Sequence, residues 1–389
     1  MGFTGFTLVM PFLPLYVREL GVSDVGDIAL WTGLSLGVTP AITAVCSPLW
    51  GRVADRYGNK LLAQRSLLSF LIVMAAMAYV TQPWHLFALR AIQGFVAGYG
   101  VLMLSMAAQS APRERMAQAI GAVQTAQRIG PAIGPVIGGI LAPLFGLRRS
   151  FLVSAAVYAL AFVILTVLYR EQPRRTDHVK GEGGRVMFKN ILAFENFLLL
   201  MFVIFGLQVV DRSFGPVLPL YLGELGYPSA RVPLIAGVLF SVLAVSGALG
   251  HQLAATLLQR MTARAVIAAA TLTGSAALAL FAFAMTLWAL VPAMAGIGLA
   301  LGTALTAAFA AAGAVIPPHV HGASFGFLTS ASLTGSAVSP VLSGLVGARS
   351  IRVVFVAGAV TLALLAIAVR RVMVERTLQI PSTPSVEES

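Results

Sequence analysis

Ionisable side chains are scarce in this sequence, and the few that interrupt apolar runs are where chemistry can occur. Asp211 stands beside Arg212 in the run from Phe194 to Leu218, and no other carboxylate lies so clearly within an apolar stretch. A carboxylate so placed can take up and release a proton as its surroundings open and close. The alternative is a static ion pair, with Arg212 or with Arg128. Arg128 sits near the middle of another apolar run, beside Gln124 and Gln127, and Arg90 and Gln93 lie in a third, within LRAIQG. An arginine at the centre of a bilayer costs about 2.5–3.5 kcal/mol on insertion scales, so each needs a reason to be there. For Arg90 that reason is either a function or an escape, since it lies only about two turns from the end of its run and can snorkel to the interface. Gln208, one turn before Asp211, and Gln93 add polarity. Three arginines against one acid favour neutral or anionic ligands over strongly cationic ones.

Other chemistry has no basis in the sequence. No Ser/His, Cys/His, paired-carboxylate or metal-ligand spacing falls on a common face, so no catalytic residues, metal or cofactor are expected. His319 and His321 read as solvated turn residues. No glycine loop followed by a phosphate-binding lysine is present, which argues against ATP as an energy source. Cys46 is the single cysteine, so disulfides are excluded.

The elements that must position these residues follow from composition. Of 389 residues, 58% are hydrophobic and 10% charged, with mean hydropathy +0.89; soluble domains carry about 25% charged residues. At roughly 30 residues per membrane span and loop, the chain holds about a dozen spans. Twelve apolar runs lie near Gly2–Val17, Ile28–Trp50, Leu61–Val80, Trp84–Ala107, Ala119–Leu144, Phe151–Tyr169, Phe194–Leu218, Val232–Leu257, Ala265–Met285, Leu287–Ile316, Ala323–Val346 and Val353–Val369. This predicts an all-α polytopic membrane protein with a first bundle over 1–169, a polar basic linker over 170–193, a second bundle over 194–371 and a disordered tail over 372–389. The net charge of +12 sits between the apolar runs and not on a basic face, so it labels topology and does not indicate nucleic-acid binding. If the linker is cytoplasmic, that side also gains Arg52, Arg56, Lys60, Arg65, Arg113, Arg115, Arg260, Arg264, Arg370, Arg371 and Arg376. The other side keeps Arg18, Arg148, Arg149, Arg231, Arg349 and Arg352. The bias places linker and C-terminus in the cytoplasm.

The two halves repeat at an offset of 205. PFLPLYVRELG from Pro11 recurs as PVLPLYLGELG from Pro216, and Gly121, Gly130, Pro135 and Gly139 recur as Gly326, Gly335, Pro340 and Gly344. Two parallel six-helix repeats with a site between them is a transporter architecture. The repeat also predicts that the first helix lacks about a dozen residues and is shorter than the roughly 20 needed to cross a bilayer. That implies a start upstream of Met1 or a truncated chain, unless a short helix thins the bilayer locally.

Two motifs bear on mechanism. GRVADRYGNK, from Gly51 to Lys60, puts Asp55 at a helix end among Arg52, Arg56 and Lys60, with Gly51 and Gly58 permitting a tight turn. Such an acid can hold a neighbouring helix N-terminus and release it when bundles rock; otherwise this is an ordinary basic loop. The fifth run carries Gly121, Gly130, Gly134, Pro135, Gly138 and Gly139. Small residues at these spacings allow close helix approach and the proline favours a kink, although a generic packing face needs no more.

Together these residues resemble the major facilitator superfamily, over essentially the whole chain. The Gly51–Lys60 loop is similar to its G-x-L-A-D-R-x-G-R/K-K signature, with Val53 and Asn59 as departures. The resemblance implies a conformational latch at Gly51, Asp55, Arg56, Gly58 and Lys60, degraded in the second half, where Gln259 and Thr262 intervene. The fifth-run spacing matches the signature of drug/proton antiporters, and LRAIQG resembles the Arg-centred motif of the fourth helix. The first bundle looks most like bacterial twelve-helix multidrug efflux proteins. The resemblance implies a monomeric inner-membrane exporter that exchanges protons for drug-like or amphiphilic compounds by alternating access. Asp211 would respond to protons and Arg90 would couple protonation to conformation, with Arg128 and Arg212 in the same transport and proton-coupling set, while Gln93 and Gln208 would supply cavity polarity. A metabolite permease and a non-transporting scaffold or sensor are the alternatives.

Overall fold

The computed structural model describes residues 2–97, 102–103, 106, 116–169, 196–315 and 321–374. The expected linker lies outside the described residues, as does the tail from 375 onward. The first span runs as helix Gly2–Leu8, a tight turn at Met10–Phe12 and helix Leu13–Glu19. Spans two to six follow as Val25–Tyr57, Asn59–Met77, Pro83–Phe95, Met116–Phe145 and Leu147–Leu168. The seventh is Phe197–Arg212 continued by Phe214–Glu224, and spans eight to twelve are Val232–Leu258, Ala263–Phe283, Leu287–Val315, His321–Gly347 and Ile351–Val372. Among the described residues, nine helical stretches are long and apolar enough to cross a membrane. The chain is a multi-pass helical membrane protein.

Several boundaries differ from the sequence expectation, for local reasons. The first run is broken at Met10–Phe12, because Pro11 and Pro14 lack the N–H groups that would continue the ladder. The seventh breaks at Ser213 for the same reason, with Pro216 and Pro219 beyond, and continues to Glu224, past the expected end at Leu218. Order at the C-terminus extends past 371: the last helix ends at Val372, and the Asn196 side chain pairs with both backbone groups of Val374 at 2.9 Å. His321, expected in a turn, begins the eleventh helix.

The repeat is visible in the turns and at the ends of the bundles. Gly21 and Gly226 follow the first and seventh spans at φ +96° and +83°, a left-handed conformation that glycine adopts without penalty. Beside them, the Tyr16 hydroxyl donates to the Met77 carbonyl at 2.6 Å. Arg148 donates to Ala78 and Val80 at 3.1 and 2.9 Å and pairs with Glu19 at 3.6 Å. In the second bundle Tyr221 reaches the Ala282 and Ala284 carbonyls at 3.1 Å, with Arg352 on its hydroxyl and Glu224 nearby. These side chains satisfy carbonyls that the ends of spans three and nine leave open. At the opposite end Lys60 caps the sixth span through the Tyr169 and Thr166 carbonyls, at 2.5 and 3.2 Å, and Arg264 caps the twelfth through Arg370. Trp84 and Trp288, at corresponding helix starts, are exposed, as suits the membrane interface.

Buried apolar side chains form two cores, one between Leu8 and Leu165 and one between Phe197 and Met373. The bundles meet through two seams, between spans two and eleven and between spans five and eight. Gly33 and Gly37 lie against the Pro340 and Ala337 carbonyls, and Gly344 against that of Ala29. Across the second seam Gly139 lies against the Pro233 carbonyl and Gly237 against that of Pro135. All these approaches fall in the halves of the helices that lead to the loops at 21–24, 146, 226–231 and 348–350. The molecule is therefore closed between the bundles at that end.

Candidate functional site

Beyond the closed end the bundles part around a cavity of about 790 Å3. Its two walls differ in chemistry. The first bundle contributes Phe3, Phe6, Met10, Leu36 and Pro40, with the uncharged polar groups of Thr7, Thr39, Thr43 and Gln127. The second contributes Gln208, Asp211, Arg212 and His251, set among Phe240, Leu243 and the small residues Gly247, Gly298 and Gly302. Every ionisable group on the described cavity wall therefore belongs to the second bundle. The residues at the corresponding first-bundle positions are Phe3, Phe6, Thr7 and Cys46.

Asp211 and Arg212 form an ion pair at 3.2 Å at the break in the seventh span, and both side chains remain partly exposed. Of the two pairings open from the sequence, the one with Arg212 is formed among the described residues; the Arg128 side chain lies outside them. One turn earlier Gln208 donates to the Ser332 hydroxyl at 2.6 Å, bracing the seventh span against the eleventh. His251 was not singled out by the sequence; its imidazole Nδ1 lies 2.7 Å from the Thr306 hydroxyl. A histidine on an otherwise apolar span was the available signal.

Arg90 and Gln93 are in a different place. Arg90 is 1% exposed and, among the described residues, bonds only Gln93 through its side chain, at 3.1 Å, its Nε and one terminal nitrogen having no hydrogen-bond partner there. It does not snorkel. Its guanidinium carbon lies 5.5 Å from the ring centre of Phe6, whose side chain also lines the cavity, so a single aromatic ring separates this charge from the site. Thr39 and Thr43 hydroxyls bond the Arg90 and Gly94 carbonyls at 2.9 and 3.1 Å, fixing the second span to the fourth. The repeat position, Met294, is fully buried in the second core.

The glycines of the fifth span face two ways. Gly130, Gly134 and Gly138 lie against the backbone of Phe3, Thr4 and Leu8 in the first span, where Thr7 also donates to the Gly130 carbonyl at 3.0 Å. Pro135 and Gly139 lie against the eighth span, so this helix packs within its own bundle and across the seam at once. A second groove, of about 930 Å3, opens on the outer surface between spans seven, eleven and twelve. Its walls, including the exposed Leu198 and Phe202, carry no ionisable group, as expected of a lipid-facing surface.

Residues 1–267 match the sequence model of the Major Facilitator Superfamily. The chain belongs to this superfamily. Among its relatives, multidrug resistance protein MdtG of Proteus mirabilis (strain HI4320) is 34% identical over 238 residues, 61% of this chain and 59% of that protein. MdtG of Enterobacter lignolyticus (strain SCF1) is 31% identical over 285 residues, covering 73% and 68% of the two chains. The match thus spans about three fifths of the Proteus protein's length. A bacterial homologue of the human lysosomal transporter Spinster, in an inward-facing and occupied conformation, superposes with a TM-score of 0.78 at 18% identity, covering 96% and 94% of the chains. The nucleoside transporter NupG (D323A mutant) gives 0.65 at 17% identity, covering 95% and 97%. At these identities the likeness shows the superfamily fold.

Within that fold the superfamily signature loop occupies the end of the second span, where Gly58 turns the chain at φ +95°. The side chains of Asp55, Arg56 and Arg128 lie outside the described set, and of the latch residues Lys60 holds the end of the sixth span inside its own bundle.

Proposed function

We propose that this chain is a secondary active exporter of amphiphilic, drug-like compounds, driven by proton entry and working by alternating access. The observation that carries the proposal is the two-faced cavity. An aromatic wall facing a polar, ionisable one matches a ligand with an apolar body and a polar end, and one of the two seams that close it runs along the glycine-rich fifth span. The names of the MdtG relatives support drug export. The Lys/Arg bias supports a linker and C-terminus in the cytoplasm of a bacterial inner membrane, which makes the closed end extracytoplasmic and the present state inward-facing. A monomer suffices, since the cavity is completed within one chain.

In this reading ligand enters between the bundles and the seams loosen as the other end closes. The Asp211–Arg212 pair lies in the path of both ligand and protons, and protonating Asp211 would release Arg212 for the ligand. Arg90, behind Phe6, would sense the same event as a change in field. The expected preference for non-cationic ligands is weaker than the sequence count implied, because Arg90 is sealed off and Arg212 is paired.

The test is accumulation of a fluorescent drug in a bacterial strain stripped of its own exporters, with the proton gradient intact or collapsed. Lower accumulation that depends on the gradient is expected. Raised accumulation would identify an importer, and unchanged accumulation would refute transport of such compounds. Asp211→Asn in proton-loaded vesicles should abolish proton-dependent flux; flux at the parental rate and proton dependence would remove Asp211 from the mechanism.

A further inference from the structure

Arg90 and Gln93 carry more hydrogen-bond donors than the fold uses. The guanidinium gives Nη1 to the Gln93 side-chain oxygen at 3.1 Å. Its Nε and Nη2, and the Gln93 Nε2, are buried with no hydrogen-bond partner among the described residues. Nε and Nη2 share one edge of the planar guanidinium, and the parallel N–H groups of that edge match the two oxygens of a carboxylate. The Gln93 oxygen is already spent on Nη1, so every group left over is a donor.

No neighbouring acid balances the charge. Glu19, Asp27 and Asp55, the carboxylates of the first bundle's spans, stand at helix ends, and Asp211 is paired with Arg212. A buried cation with unmet donors is costly, and the repeat position, Met294, shows that the fold itself does not require one there. The pair is also held beside the cavity. Thr39, a cavity residue, donates to the Arg90 carbonyl at 2.9 Å, and Gly94 lies against the Thr39 carbonyl. Between guanidinium and cavity stands the half-buried ring of Phe6, its centre 5.5 Å from the guanidinium carbon. The backbone on either side of Phe6 is pinned, the Gly5 carbonyl by Ser154 at 2.6 Å and Thr7 by the Gly130 carbonyl at 3.0 Å. Uncovering Arg90 therefore needs a turn of one side chain and no movement of the helix.

We propose that Arg90 and Gln93 form a carboxylate subsite of the cavity, covered by Phe6 in this state, which takes the anionic end of an amphiphilic monocarboxylate once the ring turns aside. The inference names a ligand class for the cavity and rests on the cavity being the ligand site. The test compares naphthylacetate with the equal-sized, neutral naphthylacetamide, bound to the purified full chain at about pH 7, where the carboxyl group is ionised. The carboxylate should bind at least about tenfold more tightly, the effect of a charge-assisted bidentate contact. Arg90→Met should bring the two affinities together, and Arg90→Lys, which keeps the charge without the fork, should retain only part of the preference. Thermal midpoints at or above the parental value would show that these variants fold. Equal affinities in the parent, no binding of the carboxylate, or an undiminished preference in Arg90→Met would overturn the inference. So would a preference lost in Arg212→Gln and kept in Arg90→Met, which would assign the carboxylate to Arg212. Equal affinities in the parent that give way to a preference in Asp211→Asn/Arg212→Gln would also overturn it, assigning the fork to the chain's own Asp211. Drug export in cells is measured separately, so its loss with the binding preference intact would count against the transport reading alone.

Discussion

Gly139 offers the sharpest test of how the closed end is held. A Cβ built there would lie 2.5 Å from the Pro233 carbonyl oxygen and 2.9 Å from the Leu234 Cα, both backbone atoms of the eighth span. Neither can move aside without moving the second bundle. Overpacking of this kind costs about 1–3 kcal/mol, and the cost is felt only while the seam is closed. Gly139→Ala should therefore shift the equilibrium between the closed and open states of this end by about 5–150-fold toward open. Spin labels at Val25→Cys and Ser229→Cys, exposed positions on opposite bundles at this end, would report both populations in a Cys46→Ala background free of other cysteines. Gly138→Ala is the control. Its Cβ would meet the Leu8 carbonyl of the same bundle, so it should lower the thermal midpoint and leave the population ratio alone. If Gly139→Ala changes the ratio by less than about twofold, the fifth span does not govern closure. If both variants change it equally, the glycines act as one packing face and the division between them is wrong.

Three further outcomes follow from the geometry. Ala29 Cβ lies 3.7 Å from a Cβ built on Gly347 across the other seam, within disulfide range, so oxidising Ala29→Cys/Gly347→Cys should stop transport and reductant should restore it; transport that survives complete cross-linking would contradict alternating access. Arg90→Met removes a buried charge with unpartnered nitrogens, and with it the desolvation cost of holding that charge out of water. Its thermal midpoint should hold or rise while export is lost, and retained export would reduce Arg90 to a structural residue. Tyr16→Phe and Tyr221→Phe each remove a buried hydroxyl bond at the end of a bundle, and each should cost about 1 kcal/mol in denaturation without altering pH dependence; a changed pH profile would give these hydroxyls a role in proton movement.

How much of this was legible in the sequence depended on whether the information was local. Apolar runs and the 205-residue repeat carry the span count and the superfamily, because bilayer thickness and duplicated packing write themselves along the chain. The breaks at Met10–Phe12 and Ser213 were equally local, since proline removes a donor wherever it stands, yet an apolar run hides them from hydropathy. Side-chain partners were out of reach. Arg148 and Arg352 counted as loop charges for orientation, whereas they close the ends of the bundles on Tyr16 and Tyr221, partners more than 100 residues away. Arg90 could be read as snorkelling because only packing reveals that it turns inward to Phe6 and Gln93.

The repeat does more than count helices: it separates what holds the fold from what departs from it. Tyr16 and Tyr221, Lys60 and Arg264, Gly139 and Gly344 recur because each bundle needs the same ends closed and the same seam. Where the halves disagree, a packing demand common to both cannot be the cause. Phe6 against Asp211, Thr7 against Arg212, and Cys46 against His251 are such disagreements, and in each the second-bundle member faces the cavity. Ser339, in place of a glycine corresponding to Gly134, shows that asymmetry alone is insufficient, because its hydroxyl is used up on the Val209 carbonyl within the bundle. Asymmetry and cavity exposure must coincide. By that joint criterion the second bundle supplies the ionisable face of the cavity, and exchanging Phe6 and Asp211 should abolish transport on the proposed reading, since each residue also serves neighbours that its own bundle supplies: Arg90 behind Phe6, and Arg212 beside Asp211. A functional Phe6→Asp/Asp211→Phe double variant would show that the two walls are interchangeable and would dissolve the distinction.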